Sequence, residues 1–92
     1  MNMSKYRLVL SRKAFKFLNC LDIKTRQRVV ADFDALVDYP FWDRSLDIEK
    51  LEGQKSCYRL RTGKVIRTMF KIDKEAEEIL VLKIAKRENA YE

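Results

Sequence analysis

The stretch CYRLRTGKVIRTMFKI, residues 57–72, constrains the fold more tightly than any other part of this chain. Core-type and polar residues alternate on both sides of Gly63, the pattern of two antiparallel strands joined by a short turn. Directly opposed residues in such a pair share a face, and a slip of one residue turns every side chain over. A two-residue turn, Thr62-Gly63, sets Arg59 opposite Ile66 and Tyr58 opposite Arg67, mixing arginines with core residues on both faces. A three-residue turn, Thr62 to Lys64, sets Arg59 opposite Arg67, Arg61 opposite Val65 and Leu60 opposite Ile66. Tyr58, Leu60, Ile66, Phe70 and Ile72 then all face one way, and burial of that face selects this register. Gly63 suits the left-handed position that such a turn contains. Arg59, Arg61 and Arg67 are thereby gathered on the other face.

The remaining segments supply what buries the apolar face. In YRLVL, residues 6–10, Tyr6, Leu8 and Leu10 alternate with Arg7 and Val9, which predicts a strand. Ser11 is an N-cap for a first helix through about Leu21, with Ala14, Leu18 and Leu21 at helical spacing and Phe15 and Phe17 widening the stripe. Asp22 caps a second helix. Ile23, Val30, Phe33 and Val37 mark its apolar face, broadened by Val29 and Leu36. Tyr39-Pro40 ends it, because proline disfavours helix in the residue before it. FWDRSLDIEKLEGQKS reads as a connecting segment pinned by Phe41, Trp42, Leu46 and Leu51. After the hairpin, the acidic turn DKEAEE leads to a last strand, ILVLKIAKR. The predicted order is β-α-α-β-β-β. It describes one α+β domain, residues 1–92, in which an antiparallel-rich sheet carries two helices on one face. The other face is left open to solvent or to a ligand.

Composition narrows the function. Lys and Arg number 20 against 14 Asp and Glu, a net charge of +6, which favours an anionic partner. No apolar run is long enough to span a bilayer, and the first residues lack a signal-peptide core, so a cytoplasmic protein with no membrane partner is expected. The chain has no histidine, so the commonest acid–base group and metal ligand is missing. Cys20 and Cys57 lack metal-ligand spacing and read as small, partly buried side chains. Neither a metal nor a cofactor is expected. The three arginines form either a solvated basic face or a seat for an anion. The planar guanidinium fork, matched to phosphate oxygens, favours the anion. Lys5, Arg12, Lys13 and Lys16 add a basic group near the N-terminus that suits nucleic acid, an acidic protein or simply solvent.

KLEG, CYRLRTGKVIRTMFKID and ILVLKIAKRENAY, in that order over residues 50–91, resemble the RelE/ParE superfamily of toxin–antitoxin toxins. Residues 1–40 match it only in the order and spacing of elements. The resemblance implies a fold like that of microbial ribonucleases and a cognate antitoxin as partner. For the RelE branch it implies ribosome-dependent endoribonuclease activity, in which message is cleaved in the ribosomal A site and translation stops. The ParE branch poisons DNA gyrase and generally lacks the basic set. A non-catalytic inhibitor of that kind, or a module that binds nucleic acid or the ribosome, is the alternative.

On the RelE reading, Arg61, Arg67, Arg87 and Tyr91 are the catalytic residues, and Arg59, Lys64 and Lys86 bind RNA. RelE itself has lysines where Arg59 and Arg61 stand, and some relatives have histidine in place of Lys86. Cleavage through the RNA's own 2′-hydroxyl requires that hydroxyl to lose a proton, the phosphorane charge to be stabilised and the leaving oxygen to be neutralised. Arg61 and Arg67 suit the phosphate, and Arg87 the leaving group or a neighbouring phosphate. Tyr91 suits the 2′-hydroxyl or a base to stack on. Lys86 is a second proton-transfer residue, with Asp47 and Glu49 as carboxylates from a region that some relatives use.

Overall fold

Two polar side chains start the helices. Ser11 Oγ accepts a hydrogen bond from the amide of Ala14 at 3.1 Å, and Asp22 Oδ2 accepts one from the amide of Thr25 at 3.1 Å. Each satisfies an amide that the first helical turn leaves without an internal partner. The computed structural model describes residues 6–53 and 55–86. Its elements are β1 (Arg7–Leu10), α1 (Arg12–Asn19), α2 (Ile23–Leu36), β2 (Asp47–Lys50), β3 (Cys57–Thr62), β4 (Ile66–Asp73) and β5 (Glu78–Lys86). No helix among the described residues is long and apolar enough to cross a membrane.

The strands form one sheet in the order β1-β5-β4-β3-β2, with β1 parallel to β5 and every other pair antiparallel. The α+β class and the helices on one face agree with the sequence reading. The strand count does not: β2 lies within the segment read as a connection, so the order is β-α-α-β-β-β-β. Its four residues, DIEK, place one apolar side chain, Ile48, against the core. That is too short an alternation to stand out from charged loop sequence, and the strand exists because β3 offers it an edge.

The core lies between the helices and the inner face of the sheet. Ala14 and Leu18 from α1, Leu21 after it, and Val29, Phe33 and Leu36 from α2 meet Leu60, Ile66, Phe70, Ile72, Ile79, Val81 and Ile84 from the sheet. Each fully buried large aliphatic or aromatic side chain contributes about 1.5–3 kcal/mol relative to exposure. α1 packs on β5 and β1, and α2 packs on β3. The buried stripe of α2 is narrower than its sequence suggests. Val29, Phe33 and Leu36 point inward, whereas Ile23 and Val30 are exposed, as is Phe15 on α1. Trp42, Leu46 and Ile48 hold the α2–β2 connection on the core, but Phe41, expected to help, is 84% exposed. Trp42 Nε1 donates to the carbonyl of Leu36 at 2.8 Å and so fastens the connection to the end of α2.

β5 contains a bulge that decides which side chains reach the outer face. Met69 is opposite Lys83 while Phe70 is opposite Val81, so Leu82 is an extra residue. Strict alternation from Ile79 and Val81 would bury Lys83. The extra residue instead turns Ile84 inward and Lys83 outward. Ser11 Oγ also donates to the carbonyl of Leu82 at 3.0 Å, which ties the start of α1 to the bulge.

Candidate anion-binding face

The site is built on the hairpin. The structure pairs Arg61 with Arg67 and Thr62 with Ile66, whereas the sequence reading paired Arg59 with Arg67 and Leu60 with Ile66. The difference is two residues, and a shift of two leaves every side chain on its expected face. The turn is responsible. Gly63 and Lys64 both have positive φ, 60° and 71°, and the amide of Val65 donates to the carbonyl of Thr62 at 3.3 Å. These two residues form the bend, Val65 is the spare residue, and Thr62 stays in the strand. Thr62 points inward, 5% exposed, and its hydroxyl donates to Asp32 Oδ2 of α2 at 2.7 Å. That bond favours the observed register and joins the end of β3 to α2.

Leu60, Thr62, Ile66, Thr68, Phe70 and Ile72 are buried beneath the helices, and Arg59, Arg61 and Arg67 alternate with them. The three arginines therefore share the face that the helices leave open, as expected. Arg61 and Arg67 are directly opposed across β3 and β4, and Arg59 is opposite Met69. The same register adds Lys71 from β4 and Lys83 from β5 to this face. Lys83 was hidden from sequence reasoning by the bulge.

The face is not an open cluster of three like charges. β2 brings Asp47 opposite Arg61 and Glu49 opposite Arg59. The Arg59 Nη2 and Glu49 Oε1 atoms form an ion pair, and Arg61 Nε lies 3.3 Å from Asp47 Oδ2. Sequence reasoning took both carboxylates as proton-transfer groups and missed them as arginine partners, because β2 itself was not visible. Arg67 differs from its neighbours. Among the described residues it has no ion pair; its Nε, like that of Arg61, is buried without a hydrogen-bond acceptor, but Arg61 has the Asp47 carboxylate beside it. An anion arriving at the face meets Arg67 as its least engaged guanidinium.

Two other residues expected at the site fall in different places. Lys64, at the hairpin tip, lines a cleft of about 460 Å³ together with Arg61, Asp47 and Arg28. Arg28, on α2, carried no sequence signal. Its Nη1 would lie 3.0 Å from a side-chain carbon at Gly63, so the guanidinium spans the turn over the missing side chain. Lys86 is not brought into the cluster. It is opposite Ile66, on the helix-covered side at the exposed end of β5. Its charge helps the hydrogen bonds from Thr25 hold the Asp22 carboxyl below its usual range. Arg87 and Tyr91 lie outside the described residues.

A five-stranded, mostly antiparallel sheet with two helices on one face and arginines on the other is a RelE-like toxin fold. Solved structures agree. A chain of the archaeal RelE–RelB complex from Pyrococcus horikoshii OT3 is 27% identical over 89% of this chain and 94% of its own, with a TM-score of 0.77. The isolated E. coli RelE toxin is 20% identical over 88% of this chain and 83% of its own, with a TM-score of 0.74. A chain of the Mycobacterium tuberculosis RelBE2 toxin–antitoxin complex is 23% identical over 94% of this chain and 95% of its own, with a TM-score of 0.70. No protein-family model and no curated protein sequence matches the chain.

Proposed function

We propose that this protein is the toxin of a type II toxin–antitoxin pair and that it cleaves messenger RNA on the ribosome. The observation that carries this reading is the convergence of Arg59, Arg61 and Arg67 on the uncovered sheet face of a RelE-like fold. Arg67 and Arg61 stabilise the charge that develops on the scissile phosphate, since guanidinium donors remain charged and fit its oxygens. Arg59, Lys64 and Arg28 hold flanking phosphates. Arg87 neutralises the leaving oxygen. Tyr91 orients or deprotonates the 2′-hydroxyl, and the second role requires cations beside it, because an ordinary tyrosine has a pKa near ~10. A chain this small fixes little RNA geometry alone, so the ribosome supplies the positioning.

The partner in the resting cell is an antitoxin encoded beside it. The net charge of +6 suits an acidic partner, and the similar chains from P. horikoshii and M. tuberculosis were solved in complexes of this kind. The decisive experiment adds purified protein to a reconstituted translation system and maps message ends by primer extension. Cuts confined to ribosome-bound message support the reading. Equal cutting of naked message removes the ribosome from it. Growth arrest in cells with no message cleavage replaces it with a non-catalytic inhibitor.

A further inference from the structure

We propose that Asp47 and Glu49 are specificity-determining residues, whose carboxylates clasp Arg61 and Arg59 and hold down the binding of free single-stranded RNA. The inference rests on the reading of this face as the RNA-binding surface. It starts from the register of β2, a four-residue edge strand that adds only Ile48 to the core. Its two outward positions are both acidic, and each is directly opposite an arginine of β3. Both arginines of that row are therefore ion-paired, while Arg67, one strand further in, has no ion pair among the described residues. An edge strand is kept from pairing with other chains just as well by lysine. Lysine here would have strengthened a general RNA-binding face, and the acidic pair does the opposite.

The clasp is weak enough to open. Asp47 and Glu49 are 58% and 61% exposed, and exposed ion pairs hold only loosely. A phosphate already fixed within reach of a guanidinium competes with such a carboxylate through two parallel hydrogen bonds. A mobile RNA strand in solution gains less. Its affinity comes mainly from releasing counterions at each phosphate that meets an uncompensated cation. Arg59 and Arg61 are already compensated, so they add little to that release. Arg67, Lys71 and Lys83 supply most of what remains. The face thus discriminates by presentation: it takes phosphates held in place and neglects those that are not.

The test measures fluorescence anisotropy of a labelled single-stranded oligouridine 12-mer with intact protein across 50–200 mM KCl. Asp47→Asn/Glu49→Gln should bind about 10-fold tighter than wild type at the lowest salt, a few-fold for each pair opened. The slope of log K against log salt should steepen by about 1.4, or about 0.7 for each arginine released. Asp34→Asn/Glu75→Gln removes the same two units of charge from exposed positions on α2 and in the β4–β5 turn and should leave the slope unchanged. Glu49→Asp keeps the charge but withdraws the carboxylate by one methylene. It should give a smaller steepening of the same sign, and it serves if the double variant fails to fold by circular dichroism. An unchanged slope in the folded double variant, with Arg67→Ala still weakening binding, overturns the clasp and leaves the RNA face standing. Equal steepening by Asp34→Asn/Glu75→Gln also overturns it, since net charge alone then explains the effect. If neither Arg67→Ala nor the double variant alters binding, the RNA-binding face itself fails and the clasp with it.

Discussion

Replacing Arg67 with alanine separates chemistry from folding more cleanly than any other change on this face. Arg67 is opposite Arg61 on one side and Ala85 on the other, forms no ion pair among the described residues, and has a buried Nε with no acceptor. Removing it relieves a like-charge contact and an unsatisfied donor, against the loss of packing by its stem. The stability change should therefore stay within about 1 kcal/mol. At about 2.1 cal/mol/K per residue, a chain of 92 residues unfolds with an entropy of about 190 cal/mol/K, so Tm should move by no more than about 5 °C. The effect on rate should be far larger. One lost donor to the transition-state phosphate costs about 100-fold or more, equivalent to about 2.7 kcal/mol. Arg61→Ala is a poorer probe, because it also strips Asp47 of its partner. Single-turnover cleavage of ribosome-bound message, followed by primer extension, reads the rate, and a circular dichroism melt reads the fold. A folded Arg67→Ala protein that cleaves within about threefold of wild type would refute the placement of the reaction on this face.

Thr62→Val keeps the shape of a buried side chain but removes its hydrogen bond to the Asp32 carboxylate. A bond of that kind contributes about 1.5–3 kcal/mol, so Tm should fall by about 8–15 °C, and a fall below about 2 °C would contradict the role given to it. Asp22→Ala removes the α2 cap and should lower Tm at pH 7. The folded-state pKa of Asp22 is depressed below 3.8, so its charge stabilises the fold fully above that value and less as the pH falls through the folded pKa. The gap in Tm between Asp22→Ala and wild type should accordingly shrink below about pH 4, and an undiminished gap at pH 2 would remove the charge from the explanation. Deleting Leu82 removes the extra residue and leaves Lys83 outward and Ile84 inward on an unbroken ladder, so the variant should still melt cooperatively, and loss of cooperative melting would contradict the assignment of Leu82 as the spare residue. Leu82→Ala keeps the bulge and should melt nearly as wild type.

What the sequence revealed depended on whether the determining interaction was local. Ser11 and Asp22 were legible as caps because each bonds an amide three residues ahead. The shared face of Arg59, Arg61 and Arg67 was legible because parity survives a register error of two, and that was the error made. The error itself came from the turn, where Lys64 joins Gly63 in the left-handed region against the usual preference of its residue type. β2 was not legible, since DIEK becomes a strand only beside β3. The carboxylate clasp disappeared with it. Lys83 was concealed by an extra residue that no local pattern marks, and Arg28 by a contact with a distant turn. Lys86 was assigned by resemblance, and the register sets it on the other side of β5. Arg87 and Tyr91 rest on resemblance alone.

Trp42 is the only tryptophan in the chain. Its ring meets Tyr58 of β3 at 5.8 Å and Phe70 of β4 at 6.0 Å between centroids, both nearly edge-on, and leans on Tyr39 at 5.1 Å. The protein thus carries its own optical label, one indole against the two strands that bear the arginines. Its emission originates from a single environment, so a shift in colour or lifetime needs no deconvolution. Tyr39 and Tyr58 pass excitation to it across direct ring contact, and that transfer fails when the α2–β2 connection lifts away. Intrinsic fluorescence can therefore follow, without a dye, how tightly the scaffold beneath the arginine face is held during folding or on the arrival of a ligand.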